Sequence, residues 1–148
     1  MLKRLGTMTL GNKVDITDPC YNKDVWCRMT VDCEPGEYNG YVFVSDEDGW
    51  GMRVSEICIS KSERLWDIDD MEHIGDIGVD AGMAGFFNNK PDFNDDEWDE
   101  LCSIADFESN AWNAFNGIFS SSGYGDGMYP VYASLNRDAF VIVFIDKE

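Results

Sequence analysis

Tyr129-Pro130-Val131-Tyr132-Ala133-Ser134-Leu135, a turn at Asn136-Arg137-Asp138, then Ala139-Phe140-Val141-Ile142-Val143-Phe144-Ile145: this stretch decides the fold. Two runs rich in β-branched and aromatic residues flank a short polar turn, which reads as a β-hairpin. The second run is apolar on both faces. It therefore belongs in the middle of a sheet covered on both sides. A strand of that kind requires layers, not a lone hairpin.

Immediately before the hairpin stands Ser121-Ser122-Gly123-Tyr124-Gly125-Asp126-Gly127-Met128-Tyr129, three alternating glycines around one aspartate. Glycine is used where backbone takes a positive φ or passes close to another group. The spacing is not a dinucleotide fingerprint, no Lys-Ser/Thr follows, and the segment leads into a strand. Without a helix N-terminus to meet a phosphate, the phosphate-loop reading fails. A tight connection into the C-terminal hairpin is expected instead.

Further outward, strand signals dominate. Residues 7–10 and 14–16 read as short strands broken by Gly11-Asn12. From Val25 to Cys33 the odd positions are apolar, a period-2 strand carrying Cys27 and Cys33 on its buried face. Glu34-Pro35-Gly36-Glu37 is a turn, and residues 41–44 and 51–59 flank a loop at 45–49. Residues 74–79 and 84–87 are further short strands. One helix is expected: Asn94 caps, Glu97 closes a capping box, and Trp98, Leu101, Cys102 and Ala105 form one buried face. A second short helix or turn is placed at 110–115. The predicted fold is mainly β (α+β), an antiparallel β-sandwich or partly open barrel with one amphipathic helix packed on it, in a single domain over 1–148.

The formal charge is −18, and it is uneven. Fifteen acids face three bases between Lys61 and Glu108. Such a field repels nucleic acid and anionic lipid, so direct nucleic-acid or membrane binding is not expected. It attracts cations or a basic protein partner. The odd cysteine count, five, excludes a complete disulfide framework, and no C-x-x-C pair occurs. Free thiols, a polar N-terminus and no long apolar run predict a cytoplasmic protein.

Chemistry-bearing residues are few. His73 is the one histidine, and in its charged surroundings it reads as a solvated surface group, which rules out multi-histidine zinc sites. Asp15, Asp18, Asp80 and Asp126 all lie beside turn residues. Gathered at one sheet end they would hold Ca²⁺ or Mg²⁺, which take oxygen ligands. Each alone closes a turn through backbone hydrogen bonds. Among the aromatics, Trp50, Tyr124 and Tyr129 lie in or beside loops and would line a ligand or partner cleft.

Asp18-Pro19-Cys20-Tyr21, Gly78-Val79-Asp80-Ala81-Gly82-Met83-Ala84-Gly85 and Ser122-Gly123-Tyr124-Gly125-Asp126-Gly127-Met128-Tyr129 together resemble the signature of a family of small uncharacterised bacterial and phage proteins. The resemblance implies that Asp18, Asp80 and Asp126 share one region; it implies no mechanism. The leading expectation is a non-enzymatic binding module, for instance an immunity or inhibitor protein that captures a basic toxin or nuclease. The alternatives are a divalent-metal-binding domain or metal-dependent hydrolase using the aspartates, and a structural subunit of a larger assembly.

Overall fold

The structure is a computed structural model that describes residues 2–21, 28–62, 67–90, 94–104 and 111–145, apart from the side chains of Trp50 and Ile104. In chain order its strands are β1 (Leu2–Leu10), β2 (Lys13–Thr17), β3 (Met29–Asp32), β4 (Gly36–Asp46), β5 (Met52–Ser60), β6 (Glu72–Val79), β7 (Met83–Phe87), β8 (Ala111–Ala114), β9 (Gly117–Ser121), β10 (Gly127–Ala133) and β11 (Ala139–Val143). Helix α1 spans Asp95–Ile104. The strands form two antiparallel sheets: one of six in the order β1-β4-β5-β11-β10-β6, and one of five in the order β3-β2-β7-β9-β8.

The predicted C-terminal hairpin is β10–β11, with Val131 opposite Ile142. Ser134 closes its turn, taking hydrogen bonds from the Asp138 and Ala139 amides at 3.0 Å each. β11 lies inside the larger sheet, and all five of its residues are buried. Phe140 and Ile142 point into the space between the sheets, where they meet Val42, Ile57 and Ile59 of their own sheet. Val14, Ile16, Phe86 and Ile118 face them from the other sheet. Val141 and Val143 point the other way, into a second cluster with Cys58, Ile68, Met71 and Tyr132. This two-sided burial is the physical reason the run carries no polar alternation.

The two sheets stack as a sandwich and do not close into a barrel. Along one side the edge strands β1 and β8 are joined by a side chain instead of a ladder. Asn113 Nδ2 donates to Leu5 O at 3.1 Å and Thr7 O at 3.0 Å.

Helix α1 starts as expected. Asn94 Oδ1 accepts from Glu97 N at 2.9 Å, and Glu97 Oε1 accepts from Asn94 N at 3.2 Å, a reciprocal capping box. Its buried face is narrower than the sequence suggests. Leu101 is buried against Phe87 and Phe119, but Trp98 is 39% exposed and Cys102 is exposed. Trp98, one turn before Leu101, and Cys102, next to it in sequence, both stay on the solvent side. Ala105 lies outside the described residues.

A second correction concerns 110–115. Residues 111–114 form β8, which turns at Phe115 (φ 55°) and Asn116 (φ 56°) into β9. Two positive-φ residues define the hairpin turn whose twist suits antiparallel strands. Asn116-Gly117 carried that signal, displaced by one position. Cys33 is buried with its Sγ 3.2 Å from Gly11 O, as expected of a core thiol. Of the predicted 25–33 strand, residues 25–27, Cys27 among them, lie outside the described residues, and Met29–Asp32 form β3. Among the described residues no helix is long and apolar enough to cross a membrane.

Candidate functional site

The three motifs converge at one end of the sandwich. Asp18, wholly buried, ends β2 in a turn: Tyr21 N donates to Asp18 O at 3.1 Å and Cys20 N to Asp18 Oδ1 at 2.8 Å. Asp18 Oδ2 reaches 62 residues along the chain and accepts from Asp80 N at 2.8 Å and Ala81 N at 2.7 Å. The 80–82 turn in turn holds the glycine motif. Ser122 N donates to Gly82 O at 3.0 Å, and Gly127 stands opposite Val79 in the β6–β10 ladder. Asp18 is thus a strut between two turns.

The glycine motif is a folded turn. Ser122 Oγ donates to Gly125 O at 2.6 Å, and Tyr129 Oη donates to the same carbonyl at 2.6 Å. Gly123 has φ 64°, and a side chain there would press on Ile145, Phe144 and the Val54 carbonyl. Both demands, a left-handed backbone and close approach, select glycine.

The four candidate metal ligands occupy three different situations. Asp18 spends its carboxylate on backbone amides, which a cation would have to displace. Asp80 and Asp126 come near one another through the ladder but are exposed. Asp15 lies elsewhere, in a buried cluster. Its carboxylate takes Thr30 Oγ1 at 2.6 Å and Lys90 N at 2.7 Å, and pairs with Arg28 at 3.2 Å. Among the described residues no group of three or more His, Cys, Asp or Glu side chains is placed to hold a metal ion. His73 is half-exposed with Nε2 2.9 Å from Asp76 Oδ1.

Of the three candidate aromatics, Tyr124 is 53% exposed and held in place: its hydroxyl donates to Glu47 Oε1 at 2.8 Å and Arg53 lies 5.5 Å from its ring centre. The Glu47 hydrogen bond, first, raises its pKa. The ring of Trp50 lies outside the described side chains. Tyr129 packs edge-on against Phe144, with ring centres 5.2 Å apart.

Tyr129 and Phe144 are also among the residues lining a groove of about 420 Å³ at the outer face of the six-stranded sheet. Ile68, Met128, Pro130, Tyr132 and Val143 complete its lining. Met128 is 53% exposed, an unusual position for a large apolar side chain on a strand. Acids stand at neighbouring strand and turn positions. Asp67, Asp69 and Asp70 flank Ile68 on one 3₁₀ turn, where Asp67 Oδ1 accepts from Asp69 N at 3.0 Å. Asp76 stands opposite Pro130 on β6, and Glu56 opposite Val143 on β5. Burial, and then the charge of Asp67, push the Glu56 carboxyl above its ordinary pKa. Sequence reading reached Tyr129 but missed Glu56, Ile68 and Met128. The available signal was Met128-x-Pro130-x-Tyr132 beside Val131 and Ala133: β10, like β11, is apolar on both faces.

The described thiols offer no nucleophile in this region. Burial pushes Cys58 up to about 12, and burial with the nearby Asp18 charge does the same for Cys20.

No family model matches this chain, and comparison with curated proteins and with solved structures likewise finds no match.

Proposed function

We propose that this protein is a non-enzymatic binding module that captures a basic protein partner on the outer face of its six-stranded sheet, in the manner of an immunity or inhibitor protein. The observation that carries the reading is the placing of Glu56, Asp67, Asp69, Asp70 and Asp76 at strand and turn positions next to a groove lined by aliphatic and aromatic residues. Acidity that served only to keep the surface solvated would not need to gather beside the exposed Met128 and its apolar neighbours. Interfaces, by contrast, combine an apolar centre with a charged rim. The net charge of −18 supplies long-range attraction that speeds encounter with a cationic surface. Membership of the small bacterial and phage family rests on the three motifs alone and is part of the same proposal.

The test compares two neutralised proteins of equal charge. One carries Asp67→Asn, Asp69→Asn, Asp70→Asn and Asp76→Asn; the other carries Asp95→Asn, Asp96→Asn, Asp99→Asn and Glu100→Gln on α1. Binding of a labelled lysine-rich peptide is read by fluorescence anisotropy at 20 and 200 mM salt. The groove variant is expected to lose about tenfold or more in affinity at low salt, and the helix variant much less. Equal losses would mean that the chain attracts cations without a site.

A further inference from the structure

The register of the six-stranded sheet orders the groove more closely than its outline does. Asp76 stands opposite Pro130, and Val143 opposite Glu56. The β10–β11 ladder pairs Val131 with Ile142, Tyr132 with Val141 and Ala133 with Phe140; carried one residue beyond its last pair, that register puts Pro130 beside Val143. Asp76, Pro130, Val143 and Glu56 therefore form one row straight across four adjacent strands. The row has an acid at each end and an apolar pair in the middle. Three strand spacings separate its ends, roughly 14 Å. An extended chain rises roughly 3.3 Å per residue and puts positions i, i+2 and i+4 on one face, so i and i+4 lie roughly 13 Å apart.

Resting on the capture reading above, we infer that the partner presents an extended segment of the pattern basic-x-aliphatic-x-basic, laid across the strands of the six-stranded sheet. The aliphatic side chain sits on Pro130 and Val143, beside Ile68 and Met128. One basic group meets Asp76, which already holds His73 at 2.9 Å, and the other meets Glu56. The cavity of about 420 Å³ lies at the small end of the range for ligand pockets, roughly 300–1,000 Å³, a size suited to an amino-acid anchor. The half-buried position of Glu56 makes it the more selective end. A cation there replaces lost solvent, and its mate Asp67 adds a second negative charge beside it.

Three labelled peptides of equal length test this. One carries Lys-Ser-Leu-Ser-Lys between glycine-serine flanks; one has the same composition ordered Lys-Lys-Leu-Ser-Ser; and one replaces leucine by serine in the first. The patterned peptide is expected to bind about tenfold tighter than the leucine-free one, the scale of burying an aliphatic side chain, and severalfold tighter than the permuted one. Its signals in methyl NMR are expected at Met128, Val143 and Ile68. The double variant Glu56→Gln with Asp76→Asn should erase the preference while its melting temperature stays within a few degrees of the parent. Equal binding of all three peptides at low salt would overturn the row geometry while leaving capture of a basic partner standing. If none of the three binds even at 20 mM salt, the capture reading falls and takes the row with it.

Discussion

At the scale of single residues, the aspartates separate by what their oxygens face. Asp18 offers both oxygens to amides, and two of these belong to another turn. Asp18→Asn would place an amide NH₂ against N–H donors, leaving at least one buried donor without an acceptor. The variant is expected to lose about 2–4 kcal/mol in urea unfolding, whereas Asp80→Asn and Asp126→Asn, both exposed, should stay within about 0.5 kcal/mol. Parity of the three would show that the strut carries no weight. Glu56 gives a second prediction, this time of pH dependence. Its pKa is raised in the folded chain by burial and by Asp67. Its contribution to stability is therefore complete below the ordinary glutamate pKa and is lost as pH rises through the raised value. Glu56→Gln removes that loss. The variant should melt about 1–2 °C above the parent at pH 7, a gap that closes as pH falls toward about 4.3. A gap that does not change with pH would mean packing, not ionisation, is responsible. Thiol chemistry yields a third. Mass-mapped alkylation near neutral pH is expected to label exposed Cys102 before Cys20, Cys33 and Cys58: Cys33 and Cys58 are buried, Cys20 is partly buried, and burial raises the pKa of all three.

At the scale of elements, what could be read from the sequence follows from where each signal is local. The β10–β11 hairpin was legible because a strand buried on both sides is apolar at every position, and nothing outside the run is needed to see it. The start of α1 was legible because Asn94 and Glu97 complete each other within one turn. The helix's buried face was not, because whether Trp98 reaches the sheet depends on how far α1 stands from Phe87 and Phe119. The β8–β9 hairpin escaped because its turn puts Phe115 at positive φ, one position ahead of where the Asn116-Gly117 signal would place it. The candidate site divides likewise. That the three motifs share one region was implied by the resemblance alone, and the groove was not legible, since its row is set by register between strands far apart in sequence. Register also explains Gly85, where β7 pairs with β9: a Cβ there would lie 2.2 Å from the Ile118 carbonyl and 2.4 Å from Phe119 Cα. Both are backbone atoms that cannot swing aside. Gly85→Ala is expected to cost about 3 kcal/mol or more, or to leave the chain unfolded by circular dichroism, and near-parent stability would contradict the close pairing.

At the scale of the whole molecule, the charge of −18 acts on the chain itself as well as on any partner. Like charges repel in the compact state, and the repulsion reaches about 30 Å at 0.01 M salt but under about 10 Å above 0.1 M. Added NaCl should therefore stabilise this protein: between 0.01 and 0.3 M its melting temperature is expected to rise by about 3–6 °C. Screening depends on ionic strength alone, which separates it from binding. Ca²⁺ or Mg²⁺ held at Asp80 and Asp126 would raise the melting temperature at concentrations far too low to screen, by mass action on the folded state. A rise at 0.1 mM Ca²⁺ that vanishes in the Asp80→Asn, Asp126→Asn double variant would restore the metal reading. A rise seen only at matched ionic strength, whatever the cation, assigns the effect to self-repulsion. The groove variant with four acids removed should then show a smaller salt response than the parent, because it has less charge to screen, and its loss of peptide binding becomes attributable to the place of those charges once the α1 variant matches it in salt response.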